Sequence, residues 1–226
     1  IRIGLRLSKD ETIVRMPFEV RHMGSKYPIF SFDFTGAKRG VLPASYDYLR
    51  LEGRMQYRLN LPPIGYSQLM LEGGKIFGKV PYLLLKLHEG NGTYFYDRYA
   101  FSCMNFYEFS SDAWISFFYE HHFNGFLLGR VPLLKKLNWR EVFVFKGVYG
   151  TLSARNDGSL PNTKAVMLFP VGMSSVEHPY LETGFGIENI FRLLRVDCIW
   201  RLTHHRAVPG LSIPTFTVNF SLNLKF

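Results

Sequence analysis

The feature that most constrains this chain is a period of two. From 216 to 226, Phe216, Val218, Phe220, Leu222, Leu224 and Phe226 alternate with Thr217, Asn219, Ser221, Asn223 and Lys225. From 48 to 60, Leu49, Leu51, Met55, Tyr57 and Leu59 alternate with Arg50, Glu52, Arg54, Gln56, Arg58 and Asn60. Successive side chains of a strand point to opposite sides, so this pattern makes strands with one apolar and one polar face. The same alternation predicts strands over 1–8, 12–22, 28–36, 48–60, 66–78, 113–122, 140–150, 180–189, 195–204 and 214–226. That is about ten strands, many near the roughly 9–11 residues a tilted membrane strand needs. A membrane helix needs roughly 20 consecutive apolar residues. The longest uncharged run, 207–224, is broken by Pro209, Gly210 and Pro214, and the apolar run 83–87 is too short for a helix.

The connections alternate in length. Those at 24–27, 61–65 and 191–194 are tight; those at 79–112 and 151–179 are long; those at 37–45 and 205–213 are intermediate. Long loops at one end and short turns at the other are the pattern of outer-membrane barrels. The segment 124–138 is longer than its neighbours on the short side. On the polar face, Arg2, Arg6, Arg15, Arg21, Arg50, Arg54, Arg58, Arg195, Arg201 and Lys225 stand with Glu19, Asp33, Glu52, Glu72, Glu120 and Asp197. Mixed signs predict cross-strand pairs lining a wet interior. The apolar face is too bulky to be that interior. About ten strands leave no room inside for Phe30, Phe32, Phe34, Phe117, Phe143, Phe145, Phe216 and Phe220 together with the leucines. The expected fold is all-β: an antiparallel transmembrane β-barrel spanning 1–226 as one domain, apolar side outward. The alternative is a soluble β-sandwich. Composition agrees: apolar residues are 47% and charged residues 20%, which excludes a disordered chain. The aromatics (21 Phe, 13 Tyr, 3 Trp) suit a surface that faces lipid. Ile1 already lies inside the alternating pattern, as in a mature or trimmed chain.

The net charge is +9, from 27 Lys and Arg against 18 Asp and Glu. The arginines alternate with apolar residues along strands and do not cluster with exposed aromatics, so no nucleic-acid partner is expected. Contacts with outer-membrane lipid and lipopolysaccharide are expected instead, with anionic headgroups near Arg130, Lys135, Lys136 and Arg140. No catalytic motif is present: no G-x-S-x-G, phosphate loop, H-E-x-x-H or dinucleotide fingerprint. No cofactor is expected. The pairs His121-His122 and His204-His205 sit at opposite ends of the barrel, and adjacent strand residues diverge, so no metal site is expected. Glu182 and Glu188 share a face but stand roughly 20 Å apart, too far for a glycosidase pair. Cys103 and Cys198 are expected to be unpaired. Glu188, Arg195, Asp197 and Arg201 are the candidate salt-bridge cluster.

Particular residues carry a family resemblance. The terminal alternation Phe220, Leu222, Leu224, Phe226 resembles the C-terminal signal of bacterial outer-membrane barrels. The run Glu182-Thr-Gly-Phe-Gly-Ile-Glu188-Asn189, a short turn, and Arg195-Val-Asp197-Cys-Ile-Trp-Arg-Leu202 resemble the penultimate strands of the BamA/TamA outer-membrane assembly superfamily. Trp114 to His122, with Glu120, resembles the strand after that superfamily's long sixth loop. More closely, Phe95-Tyr-Asp97-Arg98-Tyr, Tyr107-Glu108-Phe109, Tyr119-Glu120-His121-His122-Phe-Asn124-Gly125 and Arg130-Val-Pro-Leu-Leu-Lys-Lys136 resemble a Bacteroidetes family without assigned function. Its members carry a carboxypeptidase-regulatory-like domain ahead of a BamA-type barrel. The resemblance implies that this chain is the C-terminal part of a sixteen-stranded barrel and that 79–112 is the sixth loop. In the superfamily that loop folds into the lumen, and an R-G-F/Y motif pairs with an acid on a nearby strand. The motif is absent from 79–112. Tyr107-Glu108-Phe109 is nearest by position and offers an acid, while Arg98 is the substitute arginine, so Arg98, Tyr107, Glu108, Phe109 and Glu120 are the candidate loop contacts.

The resemblance implies an integral protein of the bacterial outer membrane, non-enzymatic, acting in assembly, insertion or export. Its partners would be other envelope proteins or a multi-subunit outer-membrane complex. A channel or uptake accessory is the first alternative and an outer-membrane hydrolase the second.

Overall fold

The computed structural model describes residues 1–40, 45–206 and 212–222. Strands dominate it: β1 (Arg2–Leu7), β2 (Thr12–Arg15), β3 (Val20–Gly24), β4 (Ile29–Ala37), β5 (Tyr48–Asn60), β6 (Tyr66–Gly78), β7 (Lys86–Leu87), β8 (Phe109–Ser111), β9 (Ala113–His122), β10 (Arg140–Thr151), β11 (Ser174–Ser175), β12 (Tyr180–Ile190), β13 (Leu194–Arg201) and β14 (Phe216–Leu222). The one α-helix among the described residues, α1 (Pro132–Lys135), is a single turn. No described helix is long and apolar enough to cross a membrane.

Nine strands form one antiparallel sheet in the order β1-β4-β5-β6-β9-β10-β12-β13-β14. It is a meander in which each strand pairs with the next strand of the sheet. The longest members, β5 and β6, have 13 residues each; β10 has 12, β12 has 11 and β9 has 10. Among the described residues β1 and β14 do not pair with each other, so the nine strands form an open sheet and not a closed barrel.

One expected strand is not in the sheet. The segment 12–22 bends back on itself as the hairpin β2–β3, a separate two-stranded sheet. Pro17, which has no N–H to give to a ladder, lies at the bend, and the Met16 N–H donates to the Glu19 carbonyl (2.8 Å). Arg15, Glu19 and Arg21 therefore belong to this excursion, not to the polar ladder of the main sheet. Lys225, the other ladder member outside it, lies beyond the described residues.

Register fixes the two faces. Arg54 stands opposite Glu72, Glu120 opposite Val144, Gly186 opposite Asp197 and Asp197 opposite Asn219. These residues share one face with Lys146, Glu182, Arg195 and Arg201. Phe32, Leu51, Phe117, Phe145, Phe185 and Phe220 occupy the other. The buried face is the charged one: Glu72, Glu120, Lys146, Glu182, Arg195, Asp197 and Arg201 are all buried, while Phe32, Phe34, Phe185, Trp200 and Phe220 are exposed. The sheet is inside-out relative to a water-soluble fold.

The cover is the segment 79–112, which holds β7 and β8, with β11 adding a third short strand. Its Phe101, Met104 and Phe109 pack with Val176 against Met70, Phe118, Val148 and Tyr180 of the sheet. A second cluster joins Val80 and Leu85 to Ile76 and Trp114. Glycines on the charged face leave room for side chains of the neighbouring strands to lie over them. A Cβ on Gly186 would fall 2.2 Å from Asp197 Oδ1, and one on Gly74 would fall 2.6 Å from the Trp114 ring. The two long connections are tied by Asn156. Its Oδ1 accepts the Val80 N–H (3.0 Å), and its Nδ2 donates to the Gly78 carbonyl and to Asp112 (both 3.2 Å).

Candidate functional site

The charged face and the segment 79–112 meet at Glu120, on the inward side of β9 and 1% exposed. Its carboxylate accepts Arg98 Nε (2.7 Å), Arg195 Nη2 (3.1 Å) and the Tyr96 hydroxyl. Arg98 and Tyr96 come from the loop, Arg195 from β13. Arg195 also grips Asp197 through Nε (2.7 Å) and Nη2 (2.8 Å), and its guanidinium lies 4.4 Å from the Tyr96 ring centre. On the other flank His122 presents Nδ1 to Glu188 (3.2 Å) and Nε2 to Glu120 (3.4 Å), stacked on Tyr66 with ring centres 4.5 Å apart. Burial and the neighbouring Glu120 hold the Tyr96 hydroxyl well above its ordinary pKa, so it remains a donor.

Further contacts fix the rest of the loop. Lys146 Nζ, wholly buried on β10, donates to the carbonyls of Asp97 (2.7 Å) and Ala100 (2.6 Å). Glu182 on β12 accepts the Ser102 N–H (2.8 Å), the Cys103 N–H (2.7 Å) and the Tyr180 hydroxyl (2.6 Å). Arg201 on β13 holds Glu108 (2.6 Å) and the carbonyls of Cys103 (3.2 Å), Thr203 (3.0 Å) and His204 (2.7 Å). Lys86 pairs with Glu72 (2.7 Å) and Glu89 (2.8 Å). The outer edge of β14 is bridged as well: the Phe220 N–H donates to the Tyr94 carbonyl and the Tyr96 N–H to the Phe220 carbonyl, both at 2.7 Å. The loop is thus bonded to β6, β9, β10, β12, β13 and β14.

The sequence-selected residues divide between two centres. Arg98, Glu120, Glu188, Arg195 and Asp197 lie in the Glu120 network, with His122 between Glu120 and Glu188. Arg201 leaves the expected cluster. It sits at the far end of β13 from Arg195, roughly 20 Å away at strand rise, and pairs with Glu108. Phe109 is core, against Tyr180 and His204. Tyr107 is exposed, with a left-handed backbone (φ 59°). Phe220 and Leu222 lie on the apolar face of β14; Leu224 and Phe226 fall outside the described residues. Lys146 and Tyr96 are not among the candidates read from the sequence, and neither His122 nor Glu182 is read there as a loop contact. Lys146 left one signal, a lone cation at an even position among Val142, Val144 and Val148.

The family described as a family of unknown function (DUF5686), C-terminal domain, matches residues 1–154. The chain belongs to that family. No curated protein matches it. The DUF5686 match takes in β1 to β10 and the whole covering loop, including Arg98, Glu120 and Lys146. Strands β12 to β14 of this DUF5686 member lie beyond it.

Chemically the network is a latch. Its carboxylates are occupied by protein donors. Burial and Glu182 push the Cys103 thiol up to about 12, so it is no nucleophile at neutral pH. Two serine–histidine pairs occur among the described residues. His88 Nε2 and Ser111 Oγ are 2.9 Å apart, and His121 Nδ1 and Ser67 Oγ are 2.8 Å apart. All four residues are buried. His121 donates from Nε2 to the Ile64 carbonyl (2.9 Å), so its Nδ1 accepts from Ser67. A cavity of about 770 Å³ beside the network is lined by Lys26, Gln56, Arg58, Gln68 and Arg98 over Phe118.

The loop carries a pH dependence. Burial first, and Lys86 second, lower the His88 pKa to about 3, and no partner meets its Nδ1. The unfolded chain titrates near 6.5. Between these values the unfolded state binds the extra proton, so stability is fully present above about pH 6.5 and falls as pH drops towards 3. Protection of 79–112 against protease is expected to decline from pH 7 to pH 5, and to decline less in His88→Gln. Identical pH profiles for the two proteins would refute this role.

Proposed function

We propose that this chain is the C-terminal part of an outer-membrane β-barrel of the BamA/TamA type. We assign it a non-enzymatic role in assembling, inserting or exporting other outer-membrane or surface components. The observation that carries the reading is the inverted sheet. Its charged face is buried under 79–112, and its large apolar side chains stand exposed across nine strands, roughly 40 Å at ordinary strand spacing. Water-soluble monomers do not expose continuous apolar surfaces of that extent. Lipid is the environment in which such a face is at low free energy.

The role in biogenesis draws on the loop. In the resembled superfamily the sixth loop enters the lumen and its arginine meets an acid on a nearby strand. Here Arg98 and Glu120 make such a pair without the R-G-F/Y motif. The filled charged face supports this reading over an open channel, and the burial of both serine–histidine pairs supports it over a hydrolase. Depletion of the protein in its native bacterium is expected to lower the abundance of several other outer-membrane barrels, measured by mass spectrometry of the outer-membrane fraction. Unchanged composition, together with ion conductance of the purified protein in planar bilayers, would overturn it in favour of a channel.

A further inference from the structure

Two connections lie side by side at the short-turn end of the sheet: 123–139, from β9 to β10, and 191–193, from β12 to β13. The second is built on a two-residue turn. The Leu193 N–H donates to the Ile190 carbonyl (3.2 Å). Both central residues, Phe191 and Arg192, hold left-handed backbone, with φ of 50° and 69°. Turns of this kind favour Asn and Gly, because a Cβ is crowded in that conformation. Phenylalanine there is strained, and such strain is retained where the side chain serves something besides the turn. Packing is not that purpose, since Phe191 is 86% exposed and Arg192 is exposed beside it. The turn projects an aromatic ring and a cation away from the protein.

The neighbouring connection presents the same pair of chemistries. Leu133, in α1, is 84% exposed, and Arg130, Lys135 and Lys136 are exposed around it. The Asn189 side-chain amide joins the two connections by donating to the Asn138 carbonyl (2.8 Å). Between them runs a groove of about 600 Å³, lined by Lys135, Arg140, Arg192, Asn124 and Trp139 among others, with no carboxylate among its lining residues. Two acids flank the groove without lining it, and Glu188 partly offsets the charge of Arg140. Glu188, opposite Arg140 in register, meets His122, and Glu141 accepts the Leu128 N–H. Further along the strands on the apolar face, Phe143 lies three residues beyond Arg140 on β10 and is opposite Phe185 in register.

Three cations at a groove without a carboxylate, bordered by exposed leucine and phenylalanine, are complementary to an amphiphile with an anionic head. We propose that this groove binds the anionic phosphate headgroup of a bilayer phospholipid, its acyl chains lying along the apolar face by Phe143 and Phe185. The inference rests on the membrane reading above and names the lipid chemistry at the short-turn end.

The test uses the protein purified in mild detergent and offered phosphatidylglycerol or phosphatidylethanolamine, with bound lipids counted by native mass spectrometry. Phe191→Asn with Arg192→Gly installs the residues the turn prefers, so it should leave the thermal midpoint unchanged or raise it. Retained phosphatidylglycerol is expected to fall about fivefold for each cation removed, with Lys135→Gln lowering it again. Phosphatidylethanolamine should be unaffected. Equal phosphatidylglycerol retention by the double variant overturns the site, as does binding of soluble glycerol phosphate as tight as that of the lipid. Failure of parent and variant alike to enter phospholipid vesicles overturns the membrane reading itself.

Discussion

Glu120→Ala is expected to lower the unfolding free energy by about 3–5 kcal/mol, the usual cost of leaving a buried charge uncompensated, and to release 79–112 from the sheet. Glu120 is the acceptor for Arg98, Arg195 and the Tyr96 hydroxyl. Without it, Arg195 stays buried with only Asp197 to neutralise it, and His122 keeps only Glu188. Arg98→Ala should cost much less, about 1 kcal/mol or below, because its side chain is 36% exposed and water screens the pair. The asymmetry separates a latch centred on the carboxylate from a simple surface pair. The measurements are denaturant unfolding in detergent and protease cleavage within 92–98. Wild-type stability and wild-type protection of the loop in Glu120→Ala would remove the latch.

Phe185→Arg is expected to cost about 2–4 kcal/mol when the protein is folded in phospholipid vesicles, the penalty for a cation near the bilayer midplane. Phe185 is 60% exposed, in mid-strand on β12, opposite Phe143 on β10 and Cys198 on β13. Its ring contacts Phe143 at 5.2 Å between centres. If this face met water, exchanging an exposed phenylalanine for arginine would change stability by about 0.5 kcal/mol or less. The two environments therefore predict effects several-fold apart for one substitution. Phe185 is a cleaner position than Phe220, whose backbone also bonds Tyr94 and Tyr96, so a change there would disturb the loop as well. Equal stability of Phe185→Arg and parent in vesicles would mean that the apolar face does not contact hydrocarbon.

Much of the sheet was legible because strand alternation is a local property. Arg54, Glu72, Glu120 and Asp197 could be assigned to one face, and Phe32, Phe117 and Phe185 to the other, without knowing any partner. The hairpin β2–β3 was missed because alternation continues on both sides of Pro17, and the alternating pattern does not report where the chain reverses. The pairing of charges was legible only in part. Arg195 and Asp197 are two residues apart on one strand, so their contact follows from the pleat. Arg201 shares their face, but the distance along β13 decides its neighbours, and the approach of Glu108 depends on how the loop folds. Lys146 and Glu182 were overlooked for the same reason, since their partners are mainly backbone groups of 97–103 and carry no sequence mark.

The sequence by itself determined the strand class, the membership of each face and the short-turn and long-loop ends, because all three depend on residues adjacent in the chain. The alternation and the bulk of the apolar face also put the charged side inward, and the resemblance named Arg98 and Glu120 as loop contacts. Only the tertiary structure decided that these two join Tyr96 and Arg195 in one network, that Arg201 meets Glu108, and that Tyr94 to Tyr96 borders β14. Those facts depend on where a 34-residue connection comes to rest. Its position is set by buried hydrogen bonds and ion pairs between residues far apart in sequence, and the order of residues along the chain does not specify those distances.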